Sequence, residues 1–502
     1  MKLTLNKKIL LLIDNWFIHF GIAKHLQSFN FDLYAIIDTD KKAKKFYEKQ
    51  DIVKFSKEWY LSDHVSAKLL KPDLNYLKSF EKKYGINIWE IAFTDRAFYQ
   101  YNPNYKFTSN EILYLIEQEC KFYEKVLDEV NPDYLFLYYT IHHYQHLLHQ
   151  LCKAKKIPIL MFGPVRFGNR MMISQEGLKI DDMENFSHDE NISEKSLDEY
   201  LDKFNPFKQL NEVKKISFES HTWERYLSNL KFFARFWQND YKDHYSNYGK
   251  TRSKILFTKI SRSINRKRRQ YFLDNNLSKK IDENQSFVYF PLHYQPERVL
   301  LFDAPFYDNQ ISIIISIAKS LPIDHLLYVK EHPLMGTIGW RELSFYKKIM
   351  DIPNVKLIHP SVKPAEILSK SSLIITIAGT TGLEAAFYNK PSIVFTDQFY
   401  SELSFVYRLK NIGELANAIK ESIDKSVNKL ELAELIQKID QHSFEFNMNK
   451  FATDFAYRFG YKGPIMESKL SIDKIKEFLE ENSKTLEDLT NRHIKKLEQF
   501  SK

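Results

Sequence analysis

The sequence predicts an α/β protein in which two Rossmann-like domains face a cleft. The chain has 502 residues, which is too long for one ordinary hydrophobic core. Short apolar β-type segments alternate with helical patterns in both halves of the chain. A charged, aromatic stretch without that rhythm separates the two halves. The predicted regions are an N-terminal Rossmann-like domain (1–175), a largely helical connector (176–284), a C-terminal Rossmann-like domain (285–400) and a C-terminal helical region (401–502).

The first half shows the alternation most clearly. Predicted strands are 8–14, 31–38, 134–139 and 157–162, and predicted helices are 16–29, 111–130 and 141–153. The apolar run before Asp14 imitates a secretory signal, but it is short, so a first strand explains it better. No apolar stretch is long enough to span a bilayer. In the connector, a helix is predicted at 222–240.

Bulk composition restricts the class of partner. The formal charge of +9 suits acidic partners such as nucleotide sugars, anionic glycans or a membrane surface. It is too modest and too dispersed to indicate nucleic acid. The two cysteines, Cys120 and Cys152, provide neither a disulfide framework nor a metal site, and we expect buried thiols in a reducing cytoplasm.

Polar residues end three apolar strands of the second half. These segments are Gln295-Pro296-Glu297, Glu331-His332-Pro333 and Gly379-Thr380-Thr381-Gly382. The carboxyl ends of strands are where open α/β sheets bind ligands. Their convergence predicts a site for a phosphorylated ligand, and a nucleotide-activated sugar fits best.

The Gly379–Gly382 turn precedes a helical pattern. Free backbone N–H groups and the dipole at a helix start favour an anion, and the hydroxyls of Thr380 and Thr381 add donors. The alternative is an ordinary capping turn without a ligand. Glu384 could accept hydrogen bonds from ribose hydroxyls, or it could be a surface acid that complements the dipole.

His332 could donate to a leaving-group phosphate, because Pro333 ends the strand and fixes the turn. A lone His is more often structural. Strand alternation places Lys330 on the same side as His332. Gln295 and Glu297 could position a hydroxyl or a base edge, or belong to a solvated loop.

Signals in the first half are weaker. Asp95 could be the general base for an acceptor hydroxyl, or part of a buried ion pair. His142 and His143 follow a strand, and either could act on the acceptor side. No metal site is predicted, because no carboxylate or Cys completes a set with His142, His146 and His149, which share a helix face.

Two groups of basic residues each allow two interpretations. Arg166 and Arg170 could bind an acidic sugar or pair on the surface. The run Arg266–Arg269, next to Ile264 and Tyr271, could contact anionic lipid headgroups, although a solvated linker is the default.

The segments YFPLHYQPE, YVKEHP and ITIAGTTGLEA, in this order and spacing, resemble the bacterial capsule polysaccharide biosynthesis family, which includes Kdo transferases. The resemblance is good over residues 286–400 and looser over residues 75–175. It implies a GT-B fold, a nucleotide-sugar donor without an essential metal or other cofactor, and a place at the cytoplasmic face of the inner membrane. In similar enzymes that use CMP-activated acidic sugars, a His-Pro motif and a downstream Ser/Thr turn hold the donor. Those positions are His332-Pro333 and Thr380-Thr381 here.

The expected activity is therefore transfer of a sugar, such as Kdo from a CMP donor, to a glycan or glycolipid acceptor. His332, Asp95 and His142 are the catalytic candidates. The donor candidates are Gln295, Glu297, Lys330, Pro333, Gly379, Thr380, Thr381, Gly382 and Glu384. Two alternatives are a non-catalytic capsule assembly or export factor that binds glycan, and a sugar-nucleotide epimerase of the same fold.

Overall fold

The computed structural model describes residues 7–13, 16–39, 41–65, 71–99, 102, 104–177, 179–181, 245–295, 298–333, 335–338, 341–459 and 470–500. Glu297 and the predicted connector helix at 222–240 lie outside these residues.

The first sheet has seven strands in the order β13-β6-β5-β4-β1-β2-β3. They are β1 Lys7–Ile13, β2 Phe31–Ile37, β3 Lys57–Tyr60, β4 Tyr134–Tyr138, β5 Ile159–Pro164, β6 Arg170–Ser174 and β13 Phe444–Glu445. The neighbouring strands β3, β2, β1, β4 and β5 are all parallel. Strand β6 pairs antiparallel with both of its neighbours, β5 and β13. The central strands β1 and β4 are almost continuously apolar, as expected for a sheet covered by helices on both faces.

The second sheet has six parallel strands in the order β12-β11-β10-β7-β8-β9. They are β7 Phe287–Pro291, β8 Leu326–Lys330, β9 Val355–Ile358, β10 Leu373–Thr376, β11 Ser392–Val394 and β12 Val406–Arg408. The chain starts in the middle with β7, adds β8 and β9 on one side, and then crosses to β10 on the other. This reversal next to β7 creates the crevice in which such sheets bind ligands.

Helices cover both sheets. In chain order they are α1 Ile18–Leu26, α2 Lys41–Tyr47, α3 Leu61–His64, α4 Leu74–Tyr84, α5 Ile88–Phe93, α6 Ser109–Val130, α7 His143–Ala154, α8 Arg252–Asn276, α9 Gln310–Ser320, α10 Met335–Ile338, α11 Leu343–Met350, α12 Pro364–Lys370, α13 Thr381–Ala386, α14 Leu415–Ser422, α15 Lys429–His442, α16 Met448–Phe459, α17 Ile472–Glu481 and α18 Ser483–Phe500. Short 3₁₀ turns lie at Tyr245–Asn247, Pro305–Tyr307 and Ile412–Glu414, and a π-helical turn lies at Val299–Asp303.

These two sheets and their helices confirm the predicted fold class. The longest helix of the first domain, α6, begins with a capping box in which Thr108 and Glu111 satisfy each other's backbone N–H groups. Both cysteines are free and buried. No helix in the described ranges is both long and apolar enough to cross a membrane.

The end of the chain returns to the first domain. β12 and α14 complete the second domain, while β13 adds to the first sheet. The following helices α16 to α18 share a hydrophobic core with β1 and α1. At Gly21 in α1, an added Cβ would lie 2.7 Å from the Leu486 side chain, so glycine allows α18 to pack closely there. Residues 401–502, predicted as a helical region, therefore also contribute a short strand to each sheet.

The contact between α1 and α18 is expected to weaken in acid. His19 and His493 are fully buried there, with ring centroids 6.5 Å apart. Burial lowers the pKa of His19 to about 3 and that of His493 to about 4. In the unfolded chain both pKa values return to about 6.5, so below that pH the unfolded state binds more protons and the free energy of unfolding falls.

His493→Gln should remove one of the two protons that the unfolded chain binds in acid and the folded chain does not. Between about pH 6.5 and about pH 4, the dependence of the unfolding free energy on pH should become shallower by up to about 1.4 kcal/mol per pH unit. Urea unfolding at several pH values measures this. Ile323→Gln, a change at an exposed residue without a titrating group, should leave the dependence unchanged. An unchanged slope in His493→Gln would show that this imidazole does not titrate with unfolding.

Candidate active site

A cleft of about 420 Å³ lies between the two domains. Its lining comes equally from both, and consists of Arg96, Tyr139, Ile141, Pro164, Arg166, Tyr294, Arg298, Val299, Leu301 and His332. Among the described residues that line it, three are arginines and none is an acid. Such a cleft attracts an anion, because guanidinium groups pair well with phosphates and carboxylates.

Arg298 and Arg166 cross between the domains. Arg298 donates to both carboxylate oxygens of Asp303 at 3.0 Å and to the backbone carbonyl of Thr140 in the first domain. Arg166 donates to the carbonyl of Ala378 at 3.3 Å and lies 3.5 Å from Asp303. Both arginines therefore hold the domains in register, and Asp303 offsets only part of their charge.

Arg96 lies at the mouth of the cleft. It is exposed, and no hydrogen bond or ion pair to it is found within the described part of the chain. The preceding residue, Asp95, faces the opposite way and is buried. Its carboxylate accepts a 2.7 Å hydrogen bond from the Ala97 N–H, which fixes the turn that carries Arg96. Arg96 is therefore available to a ligand.

His332 reaches the cleft from the carboxyl end of β8. Its ring lies 5.6 Å from that of Tyr294, centroid to centroid. Burial, with the nearby charges of Lys330 and Arg341, lowers the pKa of His332 to about 4. The imidazole is therefore neutral at pH 7 and can offer an N–H to a phosphate oxygen. Lys330 is only 2% exposed and supplies buried positive charge beneath it, while Pro333 is exposed.

Arg341 connects the loops around His332 through an ion pair and hydrogen bonds. Its guanidinium pairs with Glu331 at 2.9 Å and donates to the side-chain oxygen of Gln295 and to the carbonyl of His293. The Gln295 amide nitrogen donates to the Asp308 carbonyl at 3.0 Å. Gln295, predicted to bind the donor, thus has both polar atoms of its side chain engaged within the protein.

The Gly379–Gly382 turn follows β10 and leads into α13. Gly379 donates to the Thr376 hydroxyl at 3.2 Å, and an added Cβ there would lie 2.6 Å from the same oxygen, so the turn needs glycine. The Thr380 hydroxyl donates to Glu384 at 2.8 Å. Burial raises the pKa of Glu384, although that hydrogen bond opposes the shift. The backbone N–H groups of Thr380 and Thr381 have no hydrogen-bond acceptor among the described residues.

His293 lies between this turn and His332. Its Nε2 is 3.2 Å from the Thr376 hydroxyl and 3.4 Å from the Ala378 nitrogen. Burial lowers the pKa of His293 to about 3, and the charges of Arg166, His332 and Arg341 add to the effect. A neutral imidazole that accepts the Ala378 N–H fixes the end of β10. Because β7 pairs with both β8 and β10, the predicted segments at the ends of these three strands share one edge of the sheet.

Asp95 lies behind the cleft wall in a buried ionic network. Its carboxylate is 2.8 Å from both His143 Nδ1 and the Tyr245 hydroxyl, and 3.4 Å from His142 Nδ1. His143 Nε2 lies 3.0 Å from Glu119. Burial opposes charge at His143, but the Glu119 charge and the Asp95 hydrogen bond prevail and raise its pKa to about 10. Despite burial, the contacts with His142 and His143 hold the pKa of Asp95 well below its usual range.

His142 is the N-cap of α7 and is partly exposed, next to the cleft residue Ile141. Its ring is stacked on Tyr144 at 5.6 Å. The other predicted basic residue, Arg170, is nearly buried and pairs with Asp440 at 2.8 Å, away from the cleft lining. Across the described ranges, no group of three or more His, Cys, Asp and Glu side chains is arranged to hold a metal.

Arg298, Asp303 and His293 were not predicted as site residues. Arg298 stands next to the predicted Gln295-Pro296-Glu297 segment, which was its only sequence signal. Asp303 follows an apolar run and resembles an ordinary solvated acid. The contacts of Arg298 and Asp303 with the other domain join residues more than a hundred positions apart. His293 contacts Thr376, which is 83 positions away in the same domain.

The sequence that forms the second-domain side of the site matches a known protein family. Residues 195–440 match the model of a family described as capsule polysaccharide biosynthesis protein. This range includes the predicted residues 286–400, and the looser resemblance over 75–175 lies outside it. No curated protein sequence gives a significant match.

Solved structures with similarity to the chain include two kinds of protein. UDP-GlcNAc 2-epimerase from Methanocaldococcus jannaschii is 14% identical, with 87% of this chain and 99% of that chain covered and a TM-score of 0.24. The beta Kdo 2,4 transferase of KpsC from Thermosulfurimonas dismutans is 13% identical, with 61% and 79% covered and a TM-score of 0.32. The beta Kdo 2,7 transferase of the same KpsC is 10% identical, with 70% and 97% covered and a TM-score of 0.28.

Over residues 195–440 the chain thus matches the capsule polysaccharide biosynthesis family, which confirms the resemblance that its strand-end motifs carry.

Proposed function

We propose that this chain is a metal-independent glycosyltransferase that moves an acidic sugar from a nucleotide donor to a glycan or glycolipid acceptor in capsule biosynthesis. The observation that supports this proposal is the interdomain cleft, where His332 lies with Arg96, Arg166 and Arg298. The three arginines and Asp303 leave two positive charges in excess. A nucleotide-activated acidic sugar carries negative charge on both its phosphate and its sugar carboxylate, and therefore complements this cleft.

His332 and the Gly379–Gly382 turn would act on the donor. When the bond between the anomeric carbon and the phosphate oxygen breaks, the electron pair stays with the nucleotide phosphate. The His332 N–H and the free amides of Thr380 and Thr381 would stabilise that charge. Lys330 would strengthen the positive potential from below. Gln295 would act indirectly, through Arg341, by fixing the loop that carries Tyr294.

The acceptor hydroxyl forms the new bond to the anomeric carbon and loses its proton. We assign this proton to His142, which is partly exposed and follows Ile141, a first-domain residue of the cleft lining. Asp95 is a positioning residue in this assignment, because its buried carboxylate lies 3.4 Å from His142 Nδ1 and lacks exposure of its own. The predicted role of Asp95 as the base itself does not fit this burial.

A thermal-shift screen with CMP, UDP and GDP and their sugars tests the donor proposal. One class of nucleotide should raise the free energy of unfolding, by about 2.7 kcal/mol when its concentration is a hundred times its Kd. Arg96→Gln should reduce this stabilisation, and Arg408→Gln, at an exposed arginine on β12, should not. Absence of stabilisation by every nucleotide would contradict the proposal and favour a non-catalytic capsule assembly or export factor.

Turnover of the stabilising sugar nucleotide separates the two enzymatic possibilities. A transferase releases nucleotide in proportion to the acceptor that is added. An epimerase of the same fold would convert the donor without any acceptor. We propose the cytoplasmic face of the inner membrane as the place of the reaction, because donor nucleotides and a lipid-linked acceptor would meet there.

A further inference from the structure

Helix α8 carries a surface that the proposed reaction does not use. It has 25 residues and is about 37 Å long. Only Arg252 near its start and Leu273 near its end are buried. Between them the helix runs over the surface with most of its side chains exposed. Packing against the core therefore does not explain the apolar side chains in its middle.

Four large apolar side chains of α8 form an exposed stripe. Phe257 is 70% exposed, Ile260 48%, Ile264 55% and Tyr271 73%. Their spacings of three, four and seven residues place them within about 60° of one another around the helix axis. An amphipathic helix of a globular domain normally turns such a stripe toward the core. Here it faces away from the protein.

Positive charge surrounds this stripe. Helix α8 contains eight Lys or Arg residues and one Asp. Lys267 and Arg268 flank the stripe directly and are exposed. Arg269, by contrast, pairs with Glu342 of the second domain. The four apolar side chains, with Lys267 and Arg268 beside them, form one surface, the α8 stripe.

We propose that the α8 stripe binds an anionic lipid bilayer, with Phe257, Ile260, Ile264 and Tyr271 inserted at the level of the headgroups. Apolar side chains flanked by lysine and arginine are typical of helices that lie in a membrane interface. A second copy of the chain is a poor partner, since two strongly basic helices would repel each other. Nucleic acid would pair with the cations but would leave the aliphatic side chains of the stripe in water.

This inference deepens the proposed function, because it rests on a glycolipid acceptor and brings the enzyme to the membrane that holds it. Membrane binding itself requires neither donor nor acceptor. It can therefore be measured separately from transfer.

Co-sedimentation of the full chain with vesicles tests the inference. We expect binding to vesicles of phosphatidylcholine with phosphatidylglycerol, weaker binding at high salt, and little binding to phosphatidylcholine alone. Lys267→Gln with Arg268→Gln should lower the binding constant by about fivefold for each cation removed. Phe257→Glu with Ile264→Glu should lower it by about tenfold or more. The control Ile323→Glu, at a fully exposed isoleucine before β8, should bind as the wild type does.

Circular dichroism and nucleotide stabilisation of each variant show that the fold is retained. Because Lys267 and Arg268 are exposed, their glutamine variant keeps the test valid even if the stripe variant misfolds. The inference is wrong if the wild type does not bind anionic vesicles, binds neutral vesicles equally well, or is unaffected by both α8 variants. Self-association through α8 without vesicle binding would also overturn it. Loss of vesicle binding with intact nucleotide binding would leave the transferase proposal standing.

Discussion

Replacing His332 with alanine is expected to reduce kcat for sugar transfer by about 10²- to 10³-fold, the usual cost of removing one donor that stabilises transition-state charge. His332 lines the interdomain cleft at the end of β8, and its pKa of about 4 keeps it neutral at pH 7. It would therefore act as an N–H donor to the departing phosphate. Because this interaction strengthens as charge develops, KM for the donor should change less than kcat.

Two further variants separate this role from a structural one. His332→Gln retains an N–H donor, so it should lose less activity than His332→Ala. His325→Ala changes a histidine at the opposite end of the same strand and should have no effect on transfer. Steady-state kinetics with the nucleotide sugar identified by the thermal-shift screen provides both constants. If His332→Ala transfers sugar at the wild-type rate, His332 has no part in the mechanism.

The pH dependence of the rate follows from the same pKa. A histidine whose pKa is lowered to about 4 gains its proton only below that pH. In the free enzyme, His332 should therefore cause no change in kcat/KM between about pH 6 and about pH 8.

Replacing Arg96 with glutamine is expected to raise KM for the donor by about 10- to 100-fold, since a hydrogen bond to a charged group contributes about 1.5–3 kcal/mol. Arg96 is exposed at the cleft, and the Asp95 turn directs it there without a protein ion pair among the described residues. Its guanidinium would bind the donor in the ground state and in the transition state alike. Therefore kcat should change much less than KM.

Arg408→Gln is the matched control for this variant. Arg408 is exposed on β12, lies 3.4 Å from Asp397, and does not line the cleft. Comparison of donors with acidic and neutral sugars identifies what Arg96 binds. A KM increase restricted to the acidic sugar indicates the sugar carboxylate, and an equal increase for both indicates the phosphate. An unchanged KM for both would exclude Arg96 from donor binding.

The fold was predictable where long apolar runs dictate the structure. Strands such as β1, β4 and β10 are buried on both faces, so their sequences are apolar almost throughout. β12 and β13 have three and two residues, too few for a period to emerge, and they were not predicted. The return of the chain to the first sheet depends on a few contacts with distant residues, such as that of Phe444 with Met171.

The site was predictable from strand ends but not from pairs that span the cleft. The positions of the His-Pro and Gly-Thr segments could be predicted, because the carboxyl ends of parallel strands lie at one edge of the sheet. Asp95 and Arg96 looked like one charged pair, whereas the structure turns the carboxylate inward to His143 and the guanidinium outward to the cleft. The contact between Arg298 and Thr140, which joins the domains, could not be predicted because the two residues are 158 positions apart in the sequence.

Isothermal titration calorimetry with the stabilising sugar nucleotide tests most directly whether the arginine-lined cleft binds the donor. We expect this sugar nucleotide to bind the wild-type chain, with an affinity that falls as salt is added. The affinity should fall by about tenfold or more in Arg96→Gln, and should be unchanged in Arg408→Gln. Binding of the sugar nucleotide with equal strength in wild type, Arg96→Gln and His332→Ala would place it elsewhere and contradict this account.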